Sequence, residues 1–139
     1  MSENDSRSRI RWPAAAALDV ALVLVFATIG RASHERGLSP LGILETAWPF
    51  LAALAVGWLV LAAWRAPAAP LRTGLPLAAI TVAGGMVLRL VSGAGAAIPF
   101  IIVASITVVV LLVGWRAIAR LVAPSRSRSR SAGRPVTPR

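Results

Sequence analysis

The chain has 139 residues, of which 57% are apolar and 14% are charged, and its formal net charge is +10. A soluble domain of this length is less apolar, so the composition excludes a soluble globular protein and predicts a membrane protein. The absence of cysteine excludes disulfides, thiolate metal sites and thiol nucleophiles.

Four apolar runs follow one another along the chain, and each is long enough to span a bilayer as a helix. After a polar tail of residues 1–12, they predict helices over about 13–30, 41–64, 75–92 and 96–115. The third run ends at Ser92-Gly93-Ala94-Gly95, which allows only a tight turn. The fold class is therefore all-α, an integral membrane four-helix bundle over residues 13–116.

The last part of the chain is basic and of low complexity. Residues 117–139 predict a turn or two of interfacial helix followed by a disordered tail rich in arginine and serine. We expect this tail to bind anionic lipid at the cytoplasmic face. Nucleic acid is not an expected partner, because no aromatic or folded nucleic-acid-binding module accompanies the charge.

The arginines predict that both termini are cytoplasmic, since cytoplasmic segments carry the excess of positive charge. Two arginines, Arg31 and Arg36, lie in the other loops. Twelve lie in the tails and in the linker between the second and third runs: Arg7, Arg9, Arg11, Arg65, Arg72, Arg116, Arg120, Arg126, Arg128, Arg130, Arg134 and Arg139. The pairs Arg11-Trp12, Trp64-Arg65 and Trp115-Arg116 are typical of an interfacial aromatic belt with its charged anchor. The expected location is the cell membrane, as a multi-pass protein.

Two charged residues define an outer polar layer. At about 1.5 Å of rise per residue, Arg89 lies about 20 Å from the cytoplasmic edge and Glu45 only a few Å farther out. We therefore predict that Glu45 and Arg89 form an ion pair. The pair either fixes the register of two helices or belongs to a binding site for an anionic or zwitterionic group. The residues bordering this layer are Arg31, His34, Thr46 and Ser92.

Asp19 defines an inner polar layer, about 10 Å from the cytoplasmic edge. Thr81, Thr107 and the indole of Trp58 are predicted at the same depth. Asp19 is either a neutral carboxyl group hydrogen-bonded to a threonine or a group that responds to protons or cations.

Other chemistry has little support in the sequence. His34 followed by Glu35 lacks further ligands at helical spacing, so we expect no metal site. No nucleophile elbow, phosphate-binding loop or haem motif is present. We expect no cofactor, and an enzymatic activity is only the third hypothesis.

Several of these features together resemble a known family. They are Asp19, Gly30-Arg31-Ala32-Ser33-His34, Thr46-Ala47-Trp48-Pro49-Phe50, Arg89 with Ser92-Gly93-Ala94-Gly95, and Gly114-Trp115-Arg116. The chain resembles the small bacterial membrane proteins grouped as domain of unknown function 3054, over roughly residues 14–116. The resemblance implies a four-helix integral membrane protein and supplies no activity.

Two functional hypotheses follow. The first is a small transporter-like or channel-like protein, expected to be a homo-oligomer because four short helices enclose little volume. The second is a structural or accessory subunit without transport activity, whose buried charges set packing and whose tail binds lipid or a partner subunit.

Overall fold

The computed structural model describes residues 10–32 and 38–123, which form an antiparallel bundle of four helices. They are α1 (Trp12–Ala32), α2 (Pro40–Val60), α3 (Leu75–Val91) and α4 (Ile98–Val122). Each is long and apolar enough to cross a membrane, when α3 is counted with the turn that begins at Pro70. The all-helical fold and the four membrane-length helices are thus confirmed.

The helix ends differ from the predicted ones in two places. α2 ends at Val60 because Ala62 adopts a left-handed conformation with φ of 46°, and a short 3-10 turn follows over Ala63–Arg65. α4 continues without a break to Val122. The interfacial helix predicted after Trp115 is therefore the end of α4 itself.

The two ends of the bundle are distinct. We call the end where α1 begins and α4 ends the terminal end, and the opposite end, where α1 turns into α2 and α3 turns into α4, the hairpin end. Which end faces the cytoplasm stays a prediction. Three predictions fall on residues outside the described ranges. They concern residues 1–9 of the predicted N-terminal tail (1–12), the tail beyond residue 123, and His34.

Small residues bring α2 and α3 close together. A Cβ atom added to Gly57 would lie 2.7 Å from Leu77 Cδ1, and one added to Gly84 would lie 2.8 Å from the Cβ of Ala53. Because such distances leave no room for a methyl group, glycine at these positions allows the two backbones to approach, as in other membrane helix pairs.

Buried residues recur every four positions on α1 and on α4, so each helix presents one face to the interior. The series are Ala15, Asp19, Val23 and Ala27 on α1, and Ala104, Val108, Leu112 and Arg116 on α4. Each series contains one charged residue, and both charges therefore point into the bundle.

All three phenylalanines of the chain pack together between the middle of the bundle and the hairpin end. Phe26 packs edge-on against Phe50 with ring centroids 5.1 Å apart, and Phe50 contacts Phe100 at 6.4 Å. Phe26 and Phe50 are buried. We call these three residues the phenylalanine stack, which runs inward from Phe100, in the first turn of α4, to Phe26.

Candidate functional site

The most buried polar contact is an ion pair between Asp19 of α1 and Arg116 of α4. Two parallel hydrogen bonds join them: Arg116 Nη1 donates to Asp19 Oδ1 at 2.8 Å and Nη2 donates to Oδ2 at 2.6 Å. Both side chains are fully buried. This two-bond geometry is the strong form of the arginine–carboxylate interaction.

Two indoles complete the surroundings of Asp19. Trp115 Nε1 donates to Oδ1 at 2.9 Å and Trp58 Nε1 donates to Oδ2 at 3.0 Å. Each carboxylate oxygen thus accepts two hydrogen bonds, all from N–H groups. We call Asp19, Trp58, Trp115 and Arg116 the terminal-end cluster. It offers Asp19 four donors, which suits an acceptor-only carboxylate.

The remaining donors of Arg116 bind backbone oxygens. Nε donates to the carbonyl of Pro67 at 2.9 Å, and Nη1 also donates to the carbonyl of Leu112 at 2.7 Å. Gly74 makes room for the arginine, since an added Cβ would lie 2.9 Å from Arg116 Cδ. The ion pair therefore ties α1 and α4 to the linker between α2 and α3.

Arg116 was predicted to be an interfacial anchor, and this prediction is wrong. α4 extends for six residues beyond it, so the side chain lies within the bundle instead of at its edge. Trp115 likewise turns its indole N–H to Asp19. Trp12 and Trp64 are exposed, which fits the predicted belt. Trp58, predicted at the same depth as Asp19, is hydrogen-bonded to it.

Thr81 and Thr107 do not bind Asp19. The Thr81 side chain is fully buried and its hydroxyl has no hydrogen-bond partner among the residues that the structure describes, whereas Thr107 is partly buried. The predicted hydrogen bond between a threonine and a neutral Asp19 is therefore not formed. Arg116 and the two indoles donate to both carboxylate oxygens instead.

The orphaned hydroxyl of Thr81 gives a first testable prediction. Thr81→Val keeps the shape of the side chain and removes a buried polar group that lacks a partner, so it should raise the free energy of unfolding by about 1 kcal/mol. Unfolding of both proteins in mixed micelles measures the difference. A loss of stability would instead mean that the hydroxyl has an unseen partner, such as a bound water.

A cavity of about 260 Å³ opens at the hairpin end, and all four helices contribute to it. It is lined by Gly30, Arg31, Thr46, Arg89, Ala94, Gly95, Ala96, Ala97 and Phe100. Among the residues that the structure describes, the charged side chains of this lining are the two arginines. We call it the hairpin-end cavity.

Arg89 is held on one wall of the hairpin-end cavity by the turn that follows α3. Its Nε donates to the carbonyl of Gly95 at 3.1 Å and its Nη2 donates to that of Ala94 at 3.3 Å. Its guanidinium also lies over the ring of Phe100, 4.5 Å from the centroid. The turn has the predicted glycine geometry, with φ of 76° at Gly93 and 71° at Gly95.

Arg31 is held on the other side by α2. Its Nη1 donates to Thr46 Oγ1 at 3.4 Å, and the Thr46 hydroxyl in turn donates to the carbonyl of Gly42 at 3.1 Å. A Cβ atom on Gly42 would collide with the guanidinium of Arg31. Glycine at this position therefore provides the surface on which Arg31 lies.

The predicted ion pair between Glu45 and Arg89 is not formed. Glu45 lies on the exposed face of α2, while Arg89 turns toward the carbonyls after α3 and toward Phe100. The two residues were predicted to pair because they lie at a similar depth in the membrane, but their side chains project in different directions. Ser92 is exposed and donates its hydroxyl to the carbonyl of Arg89 at 3.1 Å, outside the cavity lining.

The predicted binding residues thus divide into two groups. Arg31, Thr46 and Arg89 come together in one cavity, whereas Glu45 and Ser92 lie apart from it. Sequence reasoning missed Phe100, Gly42 and the role of Arg116. No signal in the sequence places Arg116 inside the bundle, because the buried series of α4 does not stand out in a helix that is almost entirely apolar.

Comparisons with known proteins identify the family of the chain. No curated protein and no solved structure matches the chain. A family model described as a protein of unknown function (DUF3054) matches residues 16–119, which include most of each of the four helices, the terminal-end cluster and the hairpin-end cavity. The chain therefore belongs to this family of proteins of unknown function.

Proposed function

We propose that this protein binds a small anionic or zwitterionic solute in the hairpin-end cavity and acts as a small transporter-like membrane protein. The observation that supports the proposal best is the presence of Arg31 and Arg89, from different helices, in the lining of one cavity. Guanidinium groups are donors whose geometry suits carboxylate and phosphate groups. The positive-inside rule predicts that the hairpin end faces the outside.

The arrangement of the two ends supports a transport role. The hairpin end has an open cavity, whereas the terminal end is closed by the buried pair of Asp19 and Arg116. Between them lies the phenylalanine stack. A protein that is accessible from one side and closed on the other has the form that alternating access requires.

Binding is tested on the full chain, purified in detergent. Acetate, phosphate and glycine are compared with chloride at equal ionic strength. At least one of the three should raise the thermal midpoint, since a ligand at 100 times its Kd adds about 2.7 kcal/mol of stability. Arg31→Gln and Arg89→Gln should lose this shift. Arg120→Gln, which removes the same charge from the exposed end of α4, should keep it.

Transport is tested by uptake of the same labelled solutes into proteoliposomes. The wild type and Arg120→Gln should accumulate the solute that stabilises the protein, and Arg89→Gln should not. If no solute shifts the midpoint, or if both cavity variants show the same shift as the wild type, the proposed function is overturned.

A structural or accessory subunit is the second candidate, and the terminal-end cluster favours it. Every oxygen of Asp19 is already satisfied by donors from α2 and α4, as expected for a group that fixes packing. A stoichiometric partner that co-purifies in mild detergent, together with no uptake of any solute, would select this candidate.

A further inference from the structure

We propose that one face of α2 is the contact surface between two copies of this chain, in which Glu45 of each copy accepts a hydrogen bond from the indole of Trp48 of the other. We call it the outward face of α2. It consists of Leu41, Glu45, Trp48, Ala52, Ala55 and Leu59, all of which are exposed except the half-buried Ala52. The contact does not depend on anion binding in the hairpin-end cavity.

Glu45 is an acid on the outside of a membrane-length helix. Asp19 and Glu45 are the acids among the described residues. Asp19 is buried and accepts four hydrogen bonds, whereas no hydrogen bond or ion pair joins Glu45 to another described residue. Glu45 lies about 8 Å along α2 from its first residue, Pro40. An ionisable group at such a depth is costly in hydrocarbon unless it pairs, so Glu45 requires a donor from outside the bundle.

Trp48 provides a donor on the same face. The indoles of Trp58 and Trp115 donate to Asp19, whereas the side chain of Trp48 is 42% exposed and its indole has no hydrogen-bond partner among the described residues. Helical side chains lean toward the N-terminus of the helix, so this indole covers the turn that contains Glu45. The outward face of α2 thus presents an unpaired acceptor and an unpaired donor at nearly the same depth.

The symmetry of a membrane dimer brings these two groups together. Two copies inserted with the same topology have parallel α2 helices, and a two-fold axis along the membrane normal places equal residues at equal height. Glu45 of one copy then lies level with the indole of Trp48 of the second copy, and the same contact occurs twice. A face that carries both halves of a hydrogen bond fits a second copy of itself, whereas acyl chains satisfy neither half.

The spacing along the outward face of α2 suits a pair of helices. Its members are separated by four, three, four, three and four residues, which is the heptad spacing of helices that cross at about +20°. Ala52 and Ala55 lie near the centre, and larger side chains lie on both sides of them. Small residues at the centre of a contact allow two membrane helices to approach closely.

The outward faces of the other helices suit lipid instead. The exposed residues in the middle of α4 are Ile101, Ile102, Val103, Ile106 and Val110. The hydroxyl of Ser105 is satisfied within α4, because it donates to the carbonyl of Ile101 at 2.7 Å. Away from their ends, α1 and α3 also expose only apolar side chains. Among the described helices, α2 is therefore the one whose outward face hydrocarbon does not satisfy.

The contact is tested first by cross-linking, because the chain has no cysteine of its own. Ala52→Cys and Ala55→Cys each place a thiol at the centre of the outward face of α2. One or both should form a disulfide-linked dimer in lipid bilayers under mild oxidation, since a disulfide requires Cα atoms about 4.4–6.8 Å apart. Val110→Cys, on the exposed face of α4, is the matched control and should stay monomeric. A dimer from Val110→Cys alone would overturn the contact through α2.

The hydrogen bond is tested by the strength of the dimer, measured by photobleaching of singly labelled protein in liposomes at a series of protein-to-lipid ratios. Glu45→Leu removes the acceptor, and Trp48→Phe removes the donor but keeps an aromatic ring. Each should weaken the dimer about tenfold or more, because a symmetric contact loses the bond twice. Trp64→Phe removes an indole from an exposed tryptophan outside this face and should dimerise as the wild type does.

The remaining outcomes separate the possible occupants of the face. A wild type that stays monomeric at every protein-to-lipid ratio would overturn the proposal and leave the face to lipid. Equal dimerisation of the wild type, Glu45→Leu and Trp48→Phe would overturn the hydrogen-bonded contact, since apolar packing alone tolerates a leucine. Cross-linking of Ala55→Cys to a different protein in native membranes, without a dimer, would assign the face to another subunit. The thermal midpoint of each variant in detergent verifies that it is folded.

Discussion

Replacing Asp19 with asparagine should lower the free energy of unfolding by about 3–5 kcal/mol, which is the cost of leaving one partner of a buried ion pair uncompensated. Asparagine keeps the size of the side chain but leaves the fully buried guanidinium of Arg116 without its charge partner. It also presents an NH2 group where the cluster requires an acceptor. Unfolding in mixed micelles of increasing denaturing-detergent fraction measures the loss.

Control variants distinguish a loss of stability caused by breaking the ion pair from a general effect of removing a charge. Glu45→Gln removes an acid from the exposed face of α2 and should change stability by no more than about 0.5 kcal/mol. The double variant Asp19→Leu/Arg116→Met removes both charges and should recover most of the stability. Equal losses in Asp19→Asn and Glu45→Gln would show that the pair does not hold the bundle together.

Replacing Phe50 with alanine should cost about 3–5 kcal/mol, because a fully buried aromatic ring leaves a cavity when it is removed. Phe50 has 0% exposure and contacts both other phenylalanines. Its loss should also loosen Phe100, on which the guanidinium of Arg89 lies. We therefore expect weaker anion binding in the hairpin-end cavity as well as lower stability.

Two variants test the reason for this effect. Val56→Ala, on the exposed face of the same helix, should change stability by about 0.5 kcal/mol or less. Gly85→Ala adds a methyl group that collides with the Phe50 ring and should cost about 1–3 kcal/mol through overpacking. If Phe50→Ala costs no more than Val56→Ala, the phenylalanine stack is not the centre of the core.

The four helices were predictable because length and apolar composition decide whether a segment can span a membrane. The partners of the charged residues could not be predicted in this way. In α4 almost every residue is apolar, so the sequence does not show which face is buried. The depth of Arg116 was counted from an assumed helix end at Trp115, which placed it at the membrane interface. In the structure α4 continues to Val122, about 9 Å beyond Arg116.

The hairpin-end cavity was predictable in part. Arg31, Thr46 and Arg89 lie near helix ends at one depth, and depth is what a count of residues gives. Glu45 lies at the same depth but on another side of α2, and rotation about the helix axis is not given by depth. The partner of Asp19 follows from the buried series on α1 and α4, which only the structure shows.

The ion pair at the terminal end also has a consequence for the order in which the bundle is built. Asp19 and Arg116 are 97 residues apart in the chain, and translation at about 5–20 residues per second makes the acid several seconds before its partner. An aspartate at the centre of a membrane helix costs about 2.5–3.5 kcal/mol. Trp58 is made during that interval, whereas Trp115 immediately precedes Arg116 in the chain. The final helix of the nascent chain thus completes the burial of a charge carried by the first.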